Sequence, residues 1–230
     1  MKPLPSRAWV LGLALLVIRA EPARGDYGPI RRVVQGTAWT LEEGELAVGL
    51  VSPLQYGVID ELTLSTHPVL DLLLTPNVTL KGKVLDRGPV ALALNASYLQ
   101  TFLRSRSGEI PGTLSLWPAV SVAAGSAVSL TFQAGWAMDL SPLRHGVQAG
   151  LAMNLLLGPS DLLQVSIQER WMGGGAGFEI PVGVITYGHA WDQVRVTVGI
   201  AAGRFPLQIG TGSRVLNLPV WPVVDVWWLL

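Results

Sequence analysis

A serine, a histidine and a glutamate in the first third of the chain are residues whose types could support covalent catalysis. Ser65 and His67 are two residues apart, so in a β-strand they share a face, and the alternating Leu64 takes the opposite one. Glu45 has the same parity on the preceding predicted strand. In a nucleophilic site a histidine takes the hydroxyl proton and a carboxylate orients the histidine. These three residues are therefore candidate catalytic residues.

The proposed grouping depends on where the chain turns between Glu45 and His67. A hairpin that turns near Gly57, in the stretch QYGV, would place Glu45 beside His67 at one rim of the sheet. Pro68 follows directly and can redirect the chain, and Glu45 can instead belong to the turn at residues 42–44. The alternative is a hydrogen-bonded histidine at the rim with no catalytic role, and this is the interpretation we favour.

Composition excludes several classes of function. The 230 residues carry no net charge and only 14% are charged, which argues against nucleic-acid binding because that needs a basic surface. There is no cysteine, so disulfides and thiolate metal sites are excluded. His145 and His189 lack a second ligand at metal spacing, so we expect no metal site. No cofactor is predicted either.

The first 25 residues have the three parts of a secretory signal peptide. Lys2 and Arg7 supply a basic start, residues 8–18 are apolar, and Ala23 and Gly25 are small residues before a predicted cut. The apolar run is too short to span a bilayer as a helix. A buried helix or an uncleaved anchor is the alternative. We expect the mature chain to begin at Asp26 and to form a single domain over residues 26–230.

Along the rest of the chain apolar residues recur at every second position, which predicts β-strands. In residues 127–137 one face carries Val128, Leu130, Phe132, Ala134 and Trp136, and the other is small or polar. An apolar face of about ten residues has the length of a tilted membrane-spanning strand. The predicted strands are 34–41, 45–54, 58–67, 75–85, 90–104, 112–123, 127–138, 146–157, 161–172, 176–189, 193–203 and 220–230.

The predicted connections alternate between tight turns and longer loops. Tight turns are expected at 55–58, 86–89, 124–126, 158–161 and 191–193, and longer loops at 68–76, 105–112, 139–146, 173–177 and 204–219. This alternation is typical of bacterial outer-membrane barrels, which have short periplasmic turns. The sequence thus predicts an all-β fold, a closed antiparallel up-and-down transmembrane barrel of about 12 strands (10–12), with both termini in the periplasm.

Aromatic residues near the strand ends support the same interpretation. We expect them to form girdles at the two membrane–water interfaces, because amphipathic rings favour that environment. The alternative is the packed core of a β-sandwich. The residues near the long-loop rim are Phe102, Trp136, Trp171 and Phe178, and those near the other rim are Trp191 and Trp228.

Polar residues on the inner face form the main candidate functional surface. They could line a pore or a ligand site, or they could form a hydrogen-bonded plug that fills the barrel. Many other inner positions are Gly or Ala, which leaves space. The predicted lumen-lining residues are Lys81, Lys83, Asn95, Gln133, Gln148, Asn154, Gln164, Gln168, Arg170, Arg195 and Thr197.

The C-terminal strand carries a resemblance to bacterial outer-membrane β-barrel proteins. Pro222, Val224, Val226, Trp228 and Leu230 alternate up to the last residue, which resembles the signal read by the barrel-assembly machinery. That signal usually ends in Phe or Trp, and here it ends in Leu. The stretch GTAWTLEEGELAVGLVSPLQYGVIDELTLSTHP (36–68) also resembles the start of uncharacterised barrels from Gram-negative bacteria.

This resemblance implies an outer-membrane location, contact with outer-membrane lipids and assembly by the barrel-assembly machinery. It brings no known activity and no oligomeric state. We expect a structural, pore-forming or small-solute-binding role. Two alternatives remain open: a barrel lipid hydrolase that uses Ser65, His67 and Glu45, since some outer-membrane lipid hydrolases carry similar sets, and a soluble secreted β-barrel or sandwich carrier.

Overall fold

A computed structural model describes residues 26–102, 112–141, 143–172, 182–203, 205–209, 212–216 and 220–230. A single 3-10 turn at Ile30–Arg32 and a short helix α1 at Pro68–Leu72 are the helical elements of these ranges. The strands are β1 Leu46–Gly49, β2 Leu54–Ile59, β3 Leu62–Thr66, β4 Asn77–Arg87, β5 Val90–Gln100, β6 Gly112–Ala124, β7 Val128–Leu140, β8 Leu143–Gly158, β9 Asp161–Met172, β10 Val182–Trp191, β11 Val194–Ala202, β12 Phe205–Ile209, β13 Gly212–Leu216 and β14 Trp221–Leu229.

Within these described residues, twelve strands form one closed antiparallel barrel. Sequential neighbours pair from β1 to β11, and β14 closes the barrel between β11 and β1. Strands β12 and β13 pair only with each other, as a separate hairpin. The closed antiparallel barrel of twelve strands that the sequence predicts is thus confirmed.

The two faces of the barrel differ in composition. Large apolar side chains face outward, and small or polar side chains face the lumen. On β7, Leu130 and Phe132 are 47% and 56% exposed, whereas the alternating Ser129 and Thr131 are fully buried. Phe132 pairs with Leu151 of β8, which is also half exposed. Period-two alternation therefore separates an outer apolar surface from the lumen.

The barrel has the predicted number of strands, but parts of the predicted strand set are wrong, and the loop predicted at 204–219 contains the β12–β13 hairpin. Residues 34–41 form no strand, because they run inside the lumen, and residues 45–67 supply three short strands instead of two. The predicted turn at 55–58 lies within β2, and the β2–β3 hairpin turns at Asp60–Glu61. Gly57 is needed for another reason: the backbone of Glu42 approaches so closely that a Cβ at this position would overlap it.

The connections follow the expected alternation of short turns and longer loops except between β7 and β8. Turns of two or three residues join β2–β3, β4–β5, β6–β7, β8–β9 and β10–β11, and Gly125 in one of them has a φ of 76° that favours glycine. The loop predicted at 139–146 is wrong, since only residues 141–142 separate β7 from β8. Backbone hydrogen bonds join Leu46 and Leu230, so β1 begins where the chain ends, at the rim of the tight turns.

Aromatic side chains lie near both rims. Phe102 and Trp191 are 60% and 56% exposed, and Trp191 lies edge-on to His189 with ring centroids 4.3 Å apart. Phe178 lies outside the described residues, as do the predicted signal peptide and its cut after Gly25, so the proposed division at residue 25 stays a prediction. No helix in the described ranges is long and apolar enough to cross a membrane.

Candidate functional site: a plugged lumen

The segment before β1, residues 26–45, enters the barrel at the rim of the tight turns; we call residues 26–40 the plug. Its first residues bind that rim, where Tyr27 N donates to Pro159 O (2.8 Å) and Ile30 N donates to Ser126 O (3.2 Å). Gly36, with a φ of 69°, lies where the chain reverses in the lumen. The chain then returns to the rim and enters β1.

Polar side chains on the barrel wall hold the backbone of the plug and of Leu41, the residue that follows it. Lys81 Nζ donates to the carbonyl oxygens of Val34 (2.8 Å) and Trp39 (3.2 Å). Ser121 Oγ accepts from Ala38 N (2.7 Å) and Thr63 Oγ1 accepts from Leu41 N (2.9 Å), and both side chains are buried. Because a segment that forms no sheet needs other hydrogen-bond partners when buried, these wall residues make its course possible.

The main apolar core lies between the plug and the wall. Ile30 (1% exposed) and Trp39 (3%) are among the most buried side chains of the chain. The wall presents small residues to them, so the space left by small lumen side chains is occupied by the plug. The wall alanines of this core are Ala91, Ala93, Ala119, Ala123 and Ala190.

A cavity of about 900 Å³ remains between the plug and the opposite wall, at the rim of the tight turns. Its wall includes residues from β1, β2, β9, β11 and β14, together with the start of the plug. We call it the mouth cavity. Its size falls in the range of small-molecule sites in proteins.

Arg195, from β11, is the buried cation of the mouth cavity, with only 4% of its surface exposed. Its guanidinium carbon lies 5.3 Å from the ring centre of Tyr27 and 4.7 Å from that of Trp227, within cation–π distance of both. Nη2 donates to Asp26 O at 3.0 Å. Burial raises the pKa of Tyr27 to about 12, so this phenol stays neutral beside the arginine.

Beyond the plug, polar lumen residues bind one another. Gln164 Nε2 donates to Asn154 Oδ1 (2.9 Å), and Asn154 Nδ2 donates to Ser129 Oγ (3.2 Å). Arg170 pairs with Asp139 at 2.8 Å. A second cavity of about 240 Å³ lies here, and its wall includes Thr197, Gln164 and Asn154 together with Gln35 and Gly36 of the plug.

The other predicted lumen residues lie on strands β4 to β9 of the wall. Lys83 pairs with Asp86 at 3.6 Å, and Asn95 Nδ2 donates to Trp117 O at 3.2 Å. Gln133 and Gln168 both pair in register with Gly150, on either side of β8, and Gln148 pairs with Arg170.

The candidate catalytic residues are not brought together. Glu45 lies at the rim of the tight turns, where its carboxylate binds Arg32 at 2.7 Å and its backbone pairs with Gly57. Ser65 Oγ donates to Thr79 O at 3.4 Å, and His67 precedes α1 with its backbone N bound to Asn77 Oδ1 at 2.8 Å. The expectation that Glu45 and His67 meet at one rim is wrong, because it rested on a turn near Gly57.

Two acidic groups escaped the sequence analysis. Asp225 of β14 is buried and accepts from Val51 N (2.9 Å) and Ser52 N (3.1 Å), which fixes the β1–β2 connection. The sequence could have identified this residue, because Asp225 is a charged residue at an inward-facing position of an otherwise apolar strand. Asp161 binds His189 Nδ1 at 2.7 Å; these residues are 28 apart in sequence, so spacing gave no signal. The described residues contain no cluster of three His, Asp or Glu side chains that could hold a metal ion.

Comparisons with known proteins show similarity in structure but none in sequence. No protein-family model matches the chain, and no curated protein matches it in sequence. Among solved structures, the chain is similar to one described as outer-membrane expressed OmpT of Vibrio cholerae, with a TM-score of 0.46 and 8% sequence identity. The match covers 77% of this chain and 64% of that one, so it spans less than two thirds of the other protein.

Proposed function

We propose that the protein is an integral outer-membrane β-barrel that keeps its lumen closed with its own N-terminal segment and binds a small solute in the mouth cavity. The observation that carries the membrane assignment is the outer surface of the closed barrel. Leu151 (51% exposed) lies between Phe132 (56%) and Ile167 (47%) on adjacent strands. A contiguous apolar surface of this kind is unusual in a soluble monomer and suits hydrocarbon.

Closure of the barrel supports the same assignment. In hydrocarbon every backbone N–H and C=O needs a protein partner, and a closed barrel provides one without an exposed edge. By analogy with other outer-membrane barrels, the rim of the tight turns faces the periplasm. The signal peptide would then be removed after Gly25, and β14 would present the signal read by the barrel-assembly machinery.

Small-solute binding is favoured over free diffusion because the plug occupies the lumen. Ile30 and Trp39 fill the space against the alanine wall, whereas the mouth cavity stays open to the same rim. A site that is partly enclosed and carries a buried cation is better suited to binding one solute than to letting solutes diffuse through the barrel.

Fractionation of a Gram-negative host that expresses the full chain tests this proposal. We expect the protein in the outer-membrane fraction, resistant to extraction with urea, because its outer surface would be in contact with lipid. A matched periplasmic protein serves as the control for lysis. Recovery of the protein in the soluble periplasmic fraction would contradict the membrane assignment and favour a secreted carrier.

A further inference from the structure

Two nitrogens of the Arg195 guanidinium, Nε and Nη1, lack a hydrogen-bond partner among the described residues and point to a specific ligand chemistry. We propose that Arg195 anchors the carboxylate or phosphate group of a singly charged small solute in the mouth cavity, an inference that rests on the proposed solute-binding role of the lumen. Arg195 Nε and Nη1 are buried and have no hydrogen-bond partner among the described residues. A buried N–H without a partner is costly, and a charged one more so.

Neighbouring carboxylates do not pair with this charge. Glu42 and Glu45 both bind Arg32, at 2.9 and 2.7 Å. Asp26 Oδ1 accepts from Gly28 N at 3.1 Å, and only the backbone oxygen of Asp26 binds Arg195. Nε and Nη1 of the guanidinium therefore have no acceptor among the described residues, and the planar fork of this group matches a carboxylate or phosphate.

The surroundings restrict the rest of the solute. The rings of Tyr27 and Trp227 flank the guanidinium, and Leu162 and Leu229 add apolar surface to the same cavity. This wall suits an aromatic or aliphatic body attached to the charged group. Four side-chain carboxylates line the cavity, those of Asp26, Glu42, Glu43 and Glu45, and like-charge repulsion disfavours solutes with several negative charges.

Calorimetry on the purified full chain in neutral detergent, at low salt and pH 7, tests this inference. The probes are benzoate and phenyl methyl phosphate, which carry one negative charge each, with benzamide as the neutral control. We expect at least one anion to bind saturably with one site per chain, and benzamide to bind at least about tenfold more weakly, because a charge-assisted hydrogen bond is lost. Binding of only one anion identifies the preferred head group.

Variants assign the binding to Arg195. Arg195→Gln should weaken anion binding at least about tenfold, and Arg195→Lys should weaken it less because the charge remains. Arg144→Gln is the matched control, since Arg144 pairs with Asp139 near the β7–β8 turn, away from the mouth cavity. If Arg195→Gln fails to fold, the role of Arg195 is tested instead by comparing the binding of the anions and of benzamide to the wild type and to Arg195→Lys.

Three results would overturn the inference: no anion binding by the intact barrel, equal binding of benzamide, or unchanged binding by Arg195→Gln. Each sample is also run on a gel with and without boiling. A barrel that shifts on heating but binds no anion contradicts only the Arg195 site. A wild-type chain that shows no heat shift contradicts the proposed membrane barrel itself.

Discussion

Deletion of residues 27–40 is expected to raise the ion conductance of the reconstituted barrel several-fold. The deletion removes Tyr27, Ile30, Val33 and Trp39 from the lumen, and the remaining wall there consists mainly of alanine and small polar residues. A barrel of twelve strands is wider than the eight-stranded barrels whose side chains fill the interior. Conductance steps in planar bilayers measure the effect, and the heat shift on a gel verifies that the barrel persists.

Two further variants leave the plug in the chain and so control for damage that the deletion causes to the barrel. Lys81→Met removes the two hydrogen bonds that the Lys81 side chain donates to the plug backbone, at Val34 O and Trp39 O, and should give intermittent large steps. Ala38 N lies 2.7 Å from Ser121 Oγ, and the chain has no native cysteine that could compete, so Ala38→Cys with Ser121→Cys is the pair to test as a crosslink between plug and wall. Oxidation of this pair should suppress the steps and reduction should restore them. Unchanged conductance after the deletion would show that the plug does not close the lumen.

Leu151→Arg is expected to destabilise the barrel in lipid by about 2–4 kcal/mol, the cost of an arginine near the bilayer midplane. Leu151 is half exposed in the middle of β8 and lies between Phe132 and Ile167 on the outer surface. Urea titration of the protein folded into phospholipid vesicles gives the free energy of unfolding, followed by tryptophan fluorescence.

Leu157→Arg is the matched control for depth. Leu157 is on the same strand and face, is 59% exposed, and lies about 20 Å further along β8 beside the tight turn. Near the interface the same substitution should cost only about 0–1 kcal/mol. A soluble barrel would behave differently, because both leucines would face water and both substitutions would then have similarly small effects.

Most strands could be predicted because apolar and small or polar residues alternate wherever the two faces of a strand have different surroundings. From β4 to β11 the outer and inner faces have different surroundings, so parity assigns most residues, and it fails only locally where the register shifts, between Lys83 and Leu85 and between Leu156 and Gly158. In residues 34–41 that logic fails. Thr37, Ala38 and Trp39 are all buried, since a segment inside the lumen is surrounded by the wall on every side. Its apolar composition resembles a strand, and only Gly36 indicates a reversal.

The site was predictable only in part. Parity placed Lys81 and Arg195 on the inner face, but the groups they bind belong to the plug, which sequence spacing could not bring to them. Lys81 binds backbone carbonyls 42 and 47 residues away, and Arg195 binds one 169 residues away. Contacts of this range depend on closure of the barrel around the segment, so they follow from the tertiary fold and not from a local pattern.

Folding of the urea-unfolded, purified mature chain with and without phospholipid vesicles distinguishes a membrane barrel from a soluble one. We expect the chain to fold only when vesicles are present, and the unboiled sample then to migrate faster on a gel than the boiled one. The reason is that the outer surface is apolar and the backbone hydrogen bonds of the sheet close within the barrel, which suits hydrocarbon. A chain that refolds to a soluble, monomeric β-protein without lipid, with no heat-dependent migration, would contradict it.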